Sequence, residues 1–574
     1  MNAEIVKRDI AAFRQMLDVR DAKYRRNWMR YSNAGIRRDS IRSFAGQPFG
    51  MWQRSTDADT TPMPTVQVIK AIIDTFCSKM SQTKVRPFFN PVNGNYETRK
   101  IAREAQVFFD ELFEKQKVSQ VGNESLRNAC IFDTGIAWVN EETGRVSKIL
   151  PWEFYFDPAE LHFDTLTRCF CRFENYPLIS LKDVYAGSER KGELDGFLAD
   201  YRGRKVEWVV FYDLANKERV DLINGEPVRT RALESSVWPF VMMYFTKPVA
   251  GYRTTGICDD LMGHQLTCDM LTQRIKDASE LSPANAIFLD QNINIKASQI
   301  SNRIGNIYNY TGTSGGQPPI VSTPRPIDPL YLQLLQYFVQ DAHNVIGVSQ
   351  LSAQSKKPSG LNSGVGLETL QDVESERFNV QLQNYINFFM DLSKVYMEVV
   401  PETLDVLPAK LGRARVTWKD VKRQREQFSI EFSSTSSLSK DPKVKMEQIE
   451  KLIQMGLVDK DYVASVLEMP DLEGVYSVST AAHDAVQHIV ERAIETGKVD
   501  FNEVVPLDML YRECVLEISR LEAADEDQRT VDKVIALMVK VKQTMDKAAA
   551  ASAPPPQQVI PAAPPAMGQQ PPVA

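Results

Sequence analysis

Residues 256–281 read GICDDLMGHQLTCDMLTQRIKDASEL, and residues 328–347 read DPLYLQLLQYFVQDAHNVIG. The first run has no internal proline. It follows Thr254 and Thr255, either of which offers a capping hydroxyl, and it stops before Pro283, so it predicts a helix about 39 Å long at about 1.5 Å per residue. In the second, Asp328 supplies an acceptor for an orphan amide and Pro329 fits the first helical position. Gly347 ends that helix after roughly 27 Å. Between the two, residues 284–326 (ANAIFLDQNINIKASQISNRIGNIYNYTGTSGGQPPIVSTPRP) break the helical pattern with strands, polar turns and almost no acid.

Downstream, residues 350–366 (QLSAQSKKPSGLNSGVG) form a flexible Ser/Gly-rich loop with two lysines and no acid. A further long helix is expected from near Ser363 to Pro401. Its stripe of Phe378, Leu382, Tyr385, Phe389, Leu392, Tyr396 and Val399, at spacings of four and three, predicts burial against other helices or neighbouring subunits. Residues 402–440 read as short strands and turns, and the chain turns helical again from 441. QIEKLIQMGLVDKDYVASVLEMPDLEG (448–474) has a helix-turn-helix outline. Its second helix sets Asp459, Asp461 and Glu468 against Lys460, which points to helix packing rather than DNA reading. From Ala548 the composition of Pro, Ala and Gln predicts disorder.

Upstream, residues 1–42 hold eleven Lys and Arg against five acids, with Tyr24, Trp28 and Tyr31 interleaved. Such a stretch either grips phosphate and stacks on bases or forms a solvated helix face. Residues 65–130 read mostly helical, and IAREAQVFFDELFEKQ (101–116) has a period near 3.6. From about 134 the pattern becomes strands around Gly, Asn and Asp turns, as in KVEWVVFYDLANKERVDLINGEPVRTR (205–231). The fold class expected is therefore α+β, predominantly helical.

A net charge of -6, with 43% hydrophobic and 25% charged residues, describes an ordinary globular chain and excludes a generic polyanion binder, so any nucleic-acid contact is local. Seven scattered cysteines form no disulfide framework and fit a reducing compartment. The amphipathic N-terminus is not a signal peptide, and no apolar run reaches a membrane span of about 18 residues, so cytoplasmic synthesis is expected.

No catalytic constellation emerges. GTSGGQPP (312–319) lacks the lysine and following helix of a phosphate-binding loop. Cys169 and Cys171 share a strand face without a second ligand pair, and His162 cannot complete a zinc site. His483 and His488 do not share one helical face, and His264 and His343 are isolated. Asp259 with Asp260 fits a solvated helix start better than a nuclease metal site. Neither a cofactor nor a metal is expected.

The order of long helix, β excursion, helix, basic loop and very long helix, with PFVMMYFTKPVAGYRTTGICDDLMGHQ (239–265) and GVSQLSAQSKKPSGLNSGVGLETL (347–370), resembles bacteriophage portal proteins across roughly residues 60–480. The resemblance implies an elongated protomer with a wing and body at 1–252, stem helices at 253–282 and 327–347, and a clip at 283–326. A tunnel loop at 348–364, a long wing helix with following strands at 365–440, a helical crown at 441–547 and a tail at 548–574 complete it.

It further implies a homo-oligomeric ring, usually of twelve copies, at one capsid vertex of the virion, through which double-stranded DNA is packaged and ejected. The implied partners are the terminase large subunit, head-tail adaptor or tail proteins, and major capsid and scaffolding proteins, with no membrane. Gln354, Ser355, Lys356 and Lys357 become the DNA-facing part of the tunnel loop, and Ser363, Gly364 and Gly366 its hinge to the next helix. Arg303, Asn306, Tyr308 and Tyr310 become the clip's docking surface. Another phage structural or assembly protein, such as a head-tail adaptor or scaffold, is the alternative, and particle shape separates the two.

Overall fold

The structure is a computed structural model. It describes residues 3–32, 66–81, 85–92, 95–156, 167–181, 205–249, 254–281, 286–288, 320–322, 328–348, 377–404, 409–411, 414–432, 473–501, 505–524 and 526–552. The first half begins with helices α1 (Ala3–Ser32) and α2 (Val68–Ser81), strand β1 (Pro87–Pro91), and helices α3 (Tyr96–Lys115) and α4 (Val118–Phe132). In α3 the period seen in the sequence becomes a buried face of Ile101, Ala105, Phe108, Phe109 and Leu112, each worth about 1.5–3 kcal/mol for the larger side chains.

Strands β2 (Thr134–Asn140), β3 (Arg145–Ile149), β4 (Phe154–Phe156), β5 (Arg168–Pro177), β6 (Lys205–Asp213), β7 (Glu218–Ile223), β8 (Glu226–Ala232) and β9 (Phe240–Tyr244) follow. They form two antiparallel sheets, a three-stranded one ordered β3-β2-β9 and a five-stranded one ordered β4-β5-β6-β7-β8. Ile136, Trp138 and Phe240 of the first pack with Phe154, Cys171, Trp208 and Tyr212 of the second. The opposite face of the larger sheet, with Tyr155, Phe170, Val209 and Phe211, is covered by Val6 and Phe13 of α1. Coverage of both faces explains why VVFY (209–212) is apolar at every position instead of alternating.

Helix α5 (Ile257–Leu281), strands β10 (Ala286–Phe288) and β11 (Ile320–Ser322), and helix α6 (Pro329–Ile346) come next. Both helices match the sequence expectation in extent, and β10 pairs antiparallel with β11 inside the segment expected to hold strands. Asp328 caps α6 by accepting from the Leu330 amide, and Gly347 closes it at φ 88.

Helix α7 (Asn379–Val399) precedes β12 (Ala409–Leu411), β13 (Ala414–Val416), the short α8 (Trp418–Arg423) and β14 (Phe428–Phe432). The expected start of its helix near Ser363 lies outside the described residues. Its predicted stripe is buried at Phe378, Tyr385, Phe389, Leu392, Tyr396 and Val399, with Leu382 half-buried. Of the two expected alternatives, other helices or neighbouring subunits, the partners are within the chain: Phe389 stacks edge-on with Tyr385 and approaches Phe113, Tyr396 packs on Trp418, and Gly122 leaves room for the Phe389 ring. The stripe is consumed within the chain, where β14 also pairs with β1.

Helices α9 (Glu473–Thr496), α10 (Leu507–Ala523) and α11 (Gln528–Ser552) form a separate bundle. The boundary expected at Ala548 moves, because α11 continues to Ser552: four successive alanines favour helix more than any other residue. The helix-turn-helix outline at 448–474 falls almost wholly outside the described residues. Among those residues no helix is long and apolar enough to cross a membrane.

Two glycines test this packing in opposite directions. A Cβ on Gly135 would lie 1.9 Å from the Ser125 carbonyl oxygen, whereas one on Gly263, inside α5, meets nothing within 4 Å. Gly135→Ala is expected to lower unfolding free energy by about 3 kcal/mol, and Gly263→Ala to raise it by about 0.5–1 kcal/mol. Urea unfolding of both variants measures this.

Candidate assembly and channel surface

Just before α5 the chain crosses α4 so closely that glycine is required: a Cβ on Gly256 would sit 2.7 Å from the Cys130 carbonyl oxygen. Neither threonine caps the helix as expected. The Thr254 hydroxyl donates to the Thr246 carbonyl at 2.6 Å, and the Asp259 carboxylate instead accepts from the Gly256 amide at 3.2 Å. Asp259 is half-buried rather than solvated, and its neighbours are α1 side chains.

Those neighbours account for part of the basic, aromatic N-terminal stretch, of which residues 33–42 lie outside the described residues. Lys23 donates to Asp133 Oδ2 at 2.9 Å and pairs with Asp259 at 2.9 Å. Tyr24 donates to Asp133 Oδ1 at 2.9 Å, and Asn27 donates to both Asp259 and the Ile131 carbonyl. One turn-pair further, Arg30 meets Asp269 at 2.7 Å and Tyr31 donates to Asp74 at 2.8 Å. Lys23, Tyr24, Asn27, Arg30 and Tyr31 clamp α1 onto α4, α2 and α5, while Lys7, Arg8, Arg14 and Arg26 remain exposed.

Electrostatics in the clamp follow from burial. Desolvation raises the Asp133 carboxyl above its ordinary range despite Lys23. Burial also opposes the charge of Lys23, but two carboxylates outweigh it and raise the ammonium pKa. From the same α5, Gln265 accepts from the Val68 and Ile69 amides at 3.0 and 3.3 Å, capping α2 from nearly two hundred residues away.

Helices α5 and α6 pack against one another. His264 Nε2 and Asp341 Oδ2 lie 2.9 Å apart, Phe338 sits edge-on to His264, and Ala342, His343 and Ile346 are buried. Leu335, Phe338 and Val339 also pack on the core, and the other sides of α6 stay open. Leu330, Leu332, Tyr337 and Val345 are 54%, 50%, 59% and 45% exposed, and Met270 of α5 is exposed too. Beside them lie exposed Gln333, Gln336, Gln340 and Asn344, at spacings of three and four that make one amide face. The helix contains no Lys, Arg or Glu, and its one Asp is the partner of His264.

A second polar cluster, unseen in the sequence, ties the sheets together. Arg219 donates to Glu141 and Asp221 at 2.8 and 2.9 Å, and Arg229 pairs with Glu142 and Asp221. Cys169 and Cys171 are both buried on β5. No group of three His, Cys, Asp or Glu side chains converges as a metal site among the described residues.

Gln354, Ser355, Lys356, Lys357, Ser363, Gly364 and Gly366 lie outside the described residues, as do Arg303, Asn306, Tyr308 and Tyr310. The structure therefore brings together the two helices that flank these segments. Comparison with protein-family models and with curated proteins gave no match.

The clamp has a defined pH response. Because the Lys23 pKa is raised on folding, its contribution is complete below the ordinary lysine range and is lost as pH rises through the higher folded value. Lys23→Met is expected to cost about 3 kcal/mol near neutral pH, since it leaves two carboxylates without their cation, and the difference from the native protein shrinks above about pH 10. Urea midpoints of both proteins from about pH 7 to about pH 11 measure it.

Proposed function

We propose that the chain is a bacteriophage portal protein. It assembles into a ring at one capsid vertex, conducts double-stranded DNA during packaging and ejection, and presents a platform for the packaging motor and tail. The observation that carries this proposal is the outward apolar side of α6 formed by Leu330, Tyr337 and Val345, beside α5 and ahead of the Ser/Gly loop in the chain. Three large apolar side chains roughly half in water on one side of a helix whose single acid, Asp341, is paired with His264 call for a covering surface. A neighbouring copy supplies it through a heterologous contact, which closes a ring when the rotation permits.

The amide face supports the transport half of the proposal. Gln333, Gln336, Gln340 and Asn344 present donors and acceptors without net charge, so they do not hold phosphates by counterion release. Such a wall lets a polyanion slide, while charge-dependent contact is concentrated at Lys356 and Lys357. In a twelve-copy ring those lysines place about twenty-four positive charges at one level.

Leu330→Asp with Tyr337→Asp is expected to turn rings into monomers while the circular dichroism spectrum stays native. Native mass measurement and negative-stain images read both outcomes, and a filament or solid oligomer from the unaltered protein would favour an adaptor or scaffold. Lys356→Glu with Lys357→Glu is expected to leave rings intact and to reduce the DNA content of assembled particles. Screening over about 8 Å at physiological salt confines that effect to DNA next to the loop. Full heads at normal yield would remove the loop from the transport path.

A further inference from the structure

The C-terminal bundle α9–α11 has a core of its own, in which Val490, Leu510, Leu521, Val534 and Leu537 are buried. Among the described residues, Tyr96 at the start of α3 is the one body residue packed against that core. The side-chain pairs that join α3 to the bundle are ionic. Arg99 grips Glu517 with two hydrogen bonds, of 2.7 and 3.1 Å, Lys100 meets Glu495, and Arg103 meets Glu491 at 3.0 Å. Residues 99, 100 and 103 fall on one side of α3, and three carboxylates from two helices of the bundle face them.

A fourth carboxylate completes the contact in a different way. Asn95, at the N-cap position of α3, makes no side-chain capping bond. Glu526, in the turn between α10 and α11, accepts from the Tyr96 amide at 3.1 Å instead. An anion at a helix N-terminus satisfies an orphan donor and opposes the positive end of the helix dipole. The bundle thus closes α3 electrically at its end as well as along its side.

We propose that the bundle is a detachable module, latched onto α3 by these charges and released as a folded unit when they are screened or reversed. Its separate core keeps it folded after release, and the near absence of shared apolar surface removes the main force that would keep it docked. Interfaces of this polar kind permit relative motion of the parts they join. Release leaves Arg99, Lys100 and Arg103 uncovered and the N-terminus of α3 uncapped. This goes beyond the portal proposal and does not depend on it.

Carbodiimide cross-linking of the full chain tests the latch, because Lys100 and Glu495 are in contact and form a zero-length amide only when the bundle is docked. Two other pairs serve as references within the same sample: Lys148 with Glu124 inside the body, and Lys540 with Asp500 inside the bundle. Raising salt from about 0.1 M to about 1 M shortens the screening length from about 10 Å to about 3 Å. The Lys100–Glu495 yield is then expected to fall about tenfold relative to both references. Arg99→Glu with Arg103→Glu is expected to produce the same loss at low salt, and adding Glu517→Arg with Glu491→Arg to restore it. A Lys100–Glu495 yield that tracks the references through salt and charge reversal would overturn the latch, and so would simultaneous loss of all three cross-links, which would mean unfolding in place of release.

Discussion

Asp133 holds the chain in a conformation that an ordinary side chain avoids, at φ 102 between α4 and β2, and it is almost completely buried. A buried carboxylate in a strained turn persists only if its surroundings over-determine it. Here Lys23, Tyr24 and Thr134 all direct hydrogen bonds at it, and Lys23 continues to Asp259 at the start of α5. The N-terminal helix, the helical core, the sheets and α5 therefore meet at one carboxylate. Once α1 is fixed there, its earlier turns lie across the larger sheet, where Val6 and Phe13 cover the Phe170 face.

Apolar surface is then distributed unequally. The stripe on α7 finds Phe113, Trp418 and the room above Gly122, so it serves the core. The row on α6 finds nothing comparable, although α6 is as uncharged and as apolar as a core helix. One helix is satisfied within the chain and the other is left partly in water. The same α6 carries exposed Gln333, Gln336, Gln340 and Asn344 beside these apolar side chains.

Helix ends in this protein are repeatedly satisfied from a distance. Gln265 on α5 caps α2, and Glu526 in the bundle caps α3. Such caps convert a local requirement into a tertiary link, so moving α5 or the bundle changes the stability of a helix elsewhere. The two links differ in strength of support. The α2 cap is backed by a shared hydrophobic core with α5, while the α3 cap is backed mainly by ion pairs that salt weakens.

The extents of α5 and α6 were legible in the sequence because their signals are local: Asp328 and Pro329 open α6, Gly347 closes it, and Pro283 bounds α5. The strand-rich region from 134 and the C-terminal helices were legible from periodicity for the same reason. What α1 does was not, since an amphipathic basic helix with aromatic residues has one pattern whether it meets phosphates, water or buried aspartates. Only the fold brings Asp133 and Asp259 to Lys23, 110 and 236 residues along the chain. The fate of two similar apolar stripes was equally hidden, because periodicity states that a face must be covered and not by what. The sequence by itself determined which segments become helices and strands; tertiary structure alone decided which charges are neutralised, which helix ends are capped, and which apolar face is left exposed, because each depends on groups brought together by packing across long separations.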